Sequence, residues 1–290
     1  MTAETGSELY LSAAEAAARV VIGRYSTSFG AASRLLGREE RRHVANIYAL
    51  VRVADEIVDG VAAEAGLSTD EVGERLDELE RELDRALDTG YSTDLVVHAF
   101  AATARRVGFG RNYTAPFFRS MRSDLVRAEH DDASFNDYVY GSAEVVGLMC
   151  LAAFLDGHNP SKAQRARFES GARALGAAFQ KVNFLRDLAA DYSRLGRSYF
   201  PGIDVPRLDE ADKARLLDDL DADLAQAAAV IPQLPRGSRR AVAAAHGLFA
   251  ALSRRIADTP AARLRTTRIS VPTAVKLKIV ARAAATGRSE

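Results

Sequence analysis

Two pairs of aspartates, each pair four residues apart and each set in an apolar stretch, constrain this chain more than any other feature. Asp55-Glu56-Ile57-Val58-Asp59 forms the first segment and Asp187-Leu188-Ala189-Ala190-Asp191 the second. On an α-helix that spacing stacks both carboxylates on one face. Like charges so placed repel by a few tenths of a kcal/mol, and burying them costs far more unless cations arrive. Helical steps back from Asp187 reach Asn183 and Gln180, and steps back from Asp55 reach Arg52 and Tyr48. Each helix therefore carries one polar seam among residues such as Phe179, Val182 and Leu185, or Ile47, Leu50 and Val51. Two such helices facing each other would line a polar cavity inside an apolar interior. Carboxylate and amide oxygens are hard ligands suited to Mg²⁺, which keeps several waters and shares its sphere with substrate phosphates. The expected ligand is a magnesium-chelated phosphate or diphosphate.

The rest of the chain agrees with a helical scaffold. It has 290 residues, 48% of them hydrophobic, with only 8 prolines, which suffices for one large core. Helical periodicity dominates, and no alternating β-branched run marks a strand. Helices are expected over about 13–24, 38–61, 69–87, 95–107, 115–128, 135–155, 163–194, 211–231, 239–257 and 272–285. No linker divides them, so one all-α domain over residues 1–290 is expected. The charged stretch Glu71 to Asp88, with Leu76, Leu79, Leu83 and Leu87, reads as a solvated helix with one apolar edge.

Composition also excludes several classes. Lys plus Arg equals Asp plus Glu at 39 each, so no net field draws the protein to nucleic acid. The single cysteine, Cys150, excludes an intramolecular disulfide framework and fits a reducing, cytoplasmic setting. The acidic start, Met1 to Glu8, lacks the pattern of a signal peptide. The longest apolar windows, Leu148 to Leu155 and Ala241 to Leu252, are expected to be too short to span a membrane. The five histidines lack zinc or triad spacing, and no Gly-rich phosphate loop appears.

Four ordered blocks resemble the squalene and phytoene synthase family. They are Tyr25-Ser26-Thr27-Ser28-Phe29 followed by Asn46 through Asp59; Tyr138 through Met149; Gln180 through Asp191; and Gly196-Arg197-Ser198-Tyr199-Phe200-Pro201. The resemblance spans about residues 13–285. Two positions depart from the usual pattern: Ala190 stands where an acid is frequent, and Glu144 where a glycine is common.

The resemblance implies an all-α isoprenoid (prenyl) synthase bundle with a central cavity, polar at its mouth and apolar in depth. It implies a Mg²⁺-dependent head-to-head prenyltransferase, with Mn²⁺ as a substitute ion. The wording of the first block is most like bacterial phytoene synthases, which condense two geranylgeranyl diphosphates through prephytoene diphosphate to phytoene in carotenoid biosynthesis. A synthase using farnesyl diphosphate to make squalene, dehydrosqualene or presqualene diphosphate is the alternative within the family, and a non-catalytic scaffold member the alternative outside enzymology. Asp55, Asp59, Asn183, Asp187 and Asp191 become the metal ligands, and the four aspartates with Tyr138 the catalytic set. Ser28, Phe29, Tyr48, Arg52, Gln180, Arg186 and Arg268 become the substrate contacts. The small residues Gly141, Ser142, Ala143, Gly147, Ala152 and Ala153 are expected to leave room for a long tail. Peripheral contact with the inner membrane face, through the basic and apolar last helix, is expected for an enzyme of long hydrocarbons.

Overall fold

The computed structural model describes residues 5–26 and 28–289; the side chains of Ser28, Phe29, Asp191, Ser193, Arg194 and Leu195 lie outside the described set. Fourteen α-helices are described: α1 (Gly6–Tyr25), α2 (Ser28–Ser33), α3 (Arg38–Asp59), α4 (Val61–Glu64), α5 (Thr69–Thr89), α6 (Leu95–Val107), α7 (Arg111–Val126), α8 (Asp132–Val139), α9 (Val145–Phe154), α10 (Lys162–Leu195), α11 (Glu210–Val230), α12 (Arg236–Ala257), α13 (Ala261–Leu264) and α14 (Thr273–Thr286). Among the described residues the only β-pairing is one isolated bridge, Glu129 to Ser198. The all-α expectation holds. All ten expected helices are present, with α2, α4 and α13 as short additions.

Helix ends follow local chemistry. Thr5 and Glu8 form a capping box that starts α1 at Gly6, earlier than periodicity alone indicates, because the first turn is satisfied by its own side chains. Ser68 and Glu71 do the same for α5, and Asp131 with Ser134 for α8. Gly90 and Gly108 end α5 and α6 in the left-handed conformation that a side chain disfavours. In α5, Leu76 and Leu83 are fully buried and the opposite face is solvated, as its pattern indicates.

The segment expected as one helix over 135–155 is instead α8 and α9 joined by a π-helical turn, Tyr140–Glu144. A close approach explains why the backbone widens there. A Cβ on Gly141 would stand 2.1 Å from Ser120 Oγ and 2.3 Å from the Pro116 carbonyl oxygen of α7. On the next turns, a Cβ on Gly147 would meet the Ala172 carbonyl at 2.4 Å, and one on Gly176 the Ala143 carbonyl at 2.5 Å. The backbones of α7, the π turn, α9 and α10 thus touch. Gly141 and Gly147 serve that packing, and Ala152 and Ala153 pack into the core beside α3 and α6, so the expectation that all six small residues open the cavity is corrected. Only Ser142, Ala143 and Gly147 reach its wall.

By length and composition Asp132–Phe154 is apolar enough to cross a membrane, contrary to the sequence expectation, because α8, the π turn and α9 run on as one stretch of 23 residues. Here it is a core element, with 56% of its most apolar window buried between α7 and α10. Two large apolar clusters flank it. One joins α3, α5, α6, α7 and α9 around Phe100, Phe117 and Leu50; the other joins α10, α11 and α12 around Leu185, Leu220 and Ile256. The two aspartate helices, α3 and α10, belong one to each cluster, and the cavity opens between them.

If backbone contact fixes this crossing, Gly147→Ala and Gly176→Ala should each lower stability by about 1–3 kcal/mol, the usual cost of overpacking. Gly23→Ala, at a helical site with nothing within 4 Å, should instead raise it by up to about 1 kcal/mol. Thermal unfolding followed by circular dichroism checks the opposed signs.

Candidate active site

A cavity of about 820 Å³ runs between α3 and α10. Its mouth is polar and its depth is lined by groups such as Val51, Val146, Phe154, Phe179 and Leu248. Tyr48, Arg52, Asp55 and Asp59 reach it from α3, and Gln180, Asn183, Arg186 and Asp187 from α10. Tyr138 from α8 and Arg268 from the segment before α14 complete the set. Ten of the thirteen residues singled out from the sequence therefore converge on one space. For Ser28, Phe29 and Asp191 the side chains lie outside the described set.

The electrostatics of the mouth explain why two helices can tolerate aspartates four apart. Each described aspartate meets a guanidinium. Arg52 Nη1 donates to Asp55 Oδ2 at 2.5 Å and also pairs with Glu56, while its Cζ lies 4.5 Å from the centre of the Tyr25 ring. Arg197 Nη1 donates to Asp59 Oδ1 at 2.6 Å. Asp187 receives Arg186 Nη2 at 2.5 Å and Arg268 Nε at 2.6 Å. Burial works against ionisation of Asp187, but the hydrogen bonds and charges of Arg186 and Arg268 outweigh it and hold the carboxyl below its ordinary range. At Asp55 the balance is reversed. Desolvation in the recess, aided by Asp59 and Glu56, outweighs Arg52 and pushes the carboxyl up to about 6. Tyr48 shares a hydrogen bond with Ser26, and burial raises its hydroxyl as well.

The donors available to a cation at this mouth are carboxylate and amide oxygens, a set that matches a hard divalent ion. Among the described residues no three acidic, histidine or cysteine side chains are drawn together into a ligand cluster, and the three aspartates are held by arginines instead. The residue types fit such an ion, and the raised Asp55 marks a carboxyl short of positive charge.

Three residues of the site carry no weight in the sequence reading. Arg197, from the loop after α10, donates to Asp59, to the Tyr199 hydroxyl at 3.1 Å and, through Nη2, to the Asp124 carbonyl oxygen at 2.8 Å. Asp124, on α7, accepts the Tyr138 hydroxyl at 2.9 Å. Its burial, with the charge of Asp59 adding and Arg197 opposing, pushes the carboxyl up to about 8. Tyr199 stacks on Phe184 at 4.0 Å and leans on Tyr138 at 5.5 Å, with His130 beside both. A signal for Asp124 did exist: it continues the buried stripe Phe117, Met121 at helical spacing, where a charge is out of place. Arg197 stood in a matched loop but had no visible partner along the chain.

Glu144, one of the two departures, pairs with Arg173 of α10 at 2.6 Å and lies outside the large cavity. It borders a smaller recess of about 510 Å³ with Tyr113 and Tyr140. The other departure, Ala190, is half-buried on α10.

The geometry has parallels among known proteins. The chain is 31% identical over 243 residues to the phytoene synthases of Mycobacterium bovis and Mycobacterium tuberculosis, covering 74% of this chain and 72% of theirs. It is 33% identical over 180 residues to the chloroplastic phytoene synthase 1 of Zea mays, covering 61% of this chain and 42% of that one. In fold it matches a ligand-bound dehydrosqualene synthase with a TM-score of 0.78 at 20% identity, covering 96% and 97% of the two chains. A squalene synthase from Alicyclobacillus acidocaldarius matches with a TM-score of 0.72 at 21% identity, covering 87% and 97%. The profile of squalene/phytoene synthases matches residues 22–274. With that match over most of its length, and with relatives above 30% identity, the chain belongs to the squalene/phytoene synthase family.

Proposed function

We propose that the protein is a phytoene synthase-type enzyme that condenses two geranylgeranyl diphosphates head to head, with release of diphosphate, in carotenoid biosynthesis. The observation that carries this reading is the pairing of two aspartate-bearing helices, each neutralised by arginines, at the mouth of a deep and mostly apolar cavity with Tyr138 in its wall. A diphosphate suits the charged mouth and a prenyl chain the depth. Arg52, Arg186 and Arg268 provide the fixed positive charge, with donor geometry suited to phosphate oxygens. Asp55, Asp59, Asn183, Asp187 and Asp191 would hold Mg²⁺, or Mn²⁺ in its place, and that ion supplies Lewis-acid assistance to diphosphate departure. Gln180 lies one turn before Asn183 on the same wall and would hydrogen-bond phosphate or water. Ser28, Phe29 and Tyr48 would contact the substrate near the foot of α1.

Within the family the choice of chain length rests on the relatives. Curated relatives at 31–33% identity are phytoene synthases, which favours geranylgeranyl diphosphate. The fold's likeness to a dehydrosqualene synthase keeps farnesyl diphosphate as the second reading. Incubation with each diphosphate and Mg²⁺, followed by mass analysis of the lipid extract, separates the two. The expected outcome is a forty-carbon hydrocarbon without added reductant, lost with EDTA and restored by Mg²⁺. Higher catalytic efficiency on farnesyl diphosphate, or a need for NADPH, would replace this reading with the squalene-type one. No diphosphate release from either would leave the scaffold alternative.

Asp55→Asn and Asp187→Asn should each lower turnover by about 10³-fold, since a metal clamp contributes several kcal/mol to charge stabilisation. Their effects on metal-free stability should differ. Asp55 has a folded-state pKa near 6, above its ordinary value, so its contribution is complete at low pH and is lost as pH rises through 6. Asp187 is held below its ordinary range, so it stabilises at neutral pH and that help is lost as pH falls. At pH 8 without metal, Asp55→Asn should therefore match or exceed the wild-type Tm while Asp187→Asn falls below it. Calorimetric melts at pH 5 and pH 8 measure both.

The protein is further proposed to work in the cytoplasm, in peripheral contact with the inner membrane face. Val271, just before α14, and Ala283 on it are buried and Ile279 and Val280 pack inward, whereas Val275, Leu277, Lys278 and Arg282 are exposed. Lys276 of the same helix lines the cavity, and the exposed apolar and basic groups beside it support the proposal. Co-sedimentation with anionic liposomes should weaken on Leu277→Asp and at high salt. Binding indifferent to both would remove this proposal.

A further inference from the structure

Asp124 is the most deeply buried carboxylate in contact with the site, its side chain 3% exposed. It does not line the cavity; Tyr138 does, and stands between Asp124 and the space a prenyl chain would fill. The Tyr138 hydroxyl is aimed at Asp124 Oδ2 at 2.9 Å, a distance at which a proton can pass. Around Asp124 stand Tyr138 from α8, Arg197 and Tyr199 from the loop after α10, and the carboxylates of Asp59 and Asp55 from α3, with His130 against the Tyr138 ring. Arg197 Nη1 is 3.8 Å from Asp124 Oδ1, close enough to favour a carboxylate but outside hydrogen-bond reach. A buried acid so arranged is costly. If it served only to anchor the tyrosine, a neutral acceptor would do the same at less cost.

We propose that Asp124 is the proton acceptor behind Tyr138. When the carbocation left by diphosphate departure gives up a proton, the C–H electron pair becomes the π bond of a new carbon–carbon double bond. The proton passes to the Tyr138 hydroxyl oxygen, and that hydroxyl's own proton passes to Asp124 Oδ2. The balance is closed: one C–H bond breaks, one carbon–carbon π bond forms, the positive charge is discharged, and Asp124 ends as a neutral acid that returns its proton to solvent between turnovers. No reductant takes part. Tyr138 is the catalytic group in this step, and Asp124 acts through it. A proton affinity near that of the working medium suits such an acceptor. The inference rests on the prenyl-synthase reading above.

The test is steady-state turnover of geranylgeranyl and farnesyl diphosphates from pH 6 to 9.5 for wild type, Asp124→Asn, Tyr138→Phe and the double variant. Wild-type kcat should rise with pH through about 8. Asp124→Asn should lower kcat by about 10²-fold, the lower end of what a positioned base contributes, with KM little changed and the pH limb gone. Tyr138→Phe, which leaves the buried acid in place, should lose the same limb. The double variant should be no slower than the worse single one, because both remove one path. Additive losses, or a limb near pH 8 that persists in both single variants, overturn the relay while leaving the enzyme assignment intact. A wild type inert toward both diphosphates overturns the assignment and the relay together.

Discussion

Everything at this site depends on neutralising like charges that the chain has placed side by side. Asp55 and Asp59 share a face of α3, Asp187 projects from α10, and none is stable in a recess without a cation. The protein answers with guanidinium groups from four separate places: Arg52 on the first helix, Arg186 on the second, and Arg197 and Arg268 from the loops that follow. Two of these pairs join distant parts of the chain, 138 residues apart for Arg197 and Asp59 and 81 for Arg268 and Asp187. The ion pairs that make the carboxylates tolerable thus also close the loops over the mouth. On the function proposed above, an incoming magnesium diphosphate would exchange partners with pairs already in place.

That arrangement needs helices that do not move relative to one another, and the contacts behind the cavity supply this. Gly141, Gly147 and Gly176 let α7, the π turn, α9 and α10 approach until backbone meets backbone. Tyr138 sits two residues before the widened segment, its ring wedged against Phe184 and Tyr199 and its hydroxyl on Asp124. Packing, aromatic contact and a buried hydrogen bond all bear on this one side chain, which leaves it little rotational freedom beside the apolar depth.

The deeper wall illustrates how position in the fold changes the meaning of a residue type. Small residues around the central helix look alike in sequence, yet Ser142 and Ala143 face the cavity while Gly141 is pressed against α7. Cys150 is a cavity-wall residue whose thiol burial pushes up to about 12, inert and apolar in effect. Glu144, at the end of the π turn, is absorbed by an ion pair with Arg173 of α10 and stays outside the large cavity.

Helical periodicity, the breakers between helices and the two polar seams were legible in the sequence because they are local: spacing of three or four residues on one helix decides them. The same locality made Asp55, Asp59, Asn183 and Asp187 identifiable before any fold was known; the ordered blocks added Tyr138, and the wider family resemblance added Arg268. Two local signals went unread, the capping box at Thr5 and the charge on the buried stripe of α7. Tertiary structure alone decided that Arg197 faces Asp59, that Asp124 lies behind Tyr138, and which glycines are contacts and which small residues are cavity wall. Those pairings join residues from 14 to 138 positions apart. They arise where helices cross, and no repeat along one helix encodes the angle or depth of a crossing.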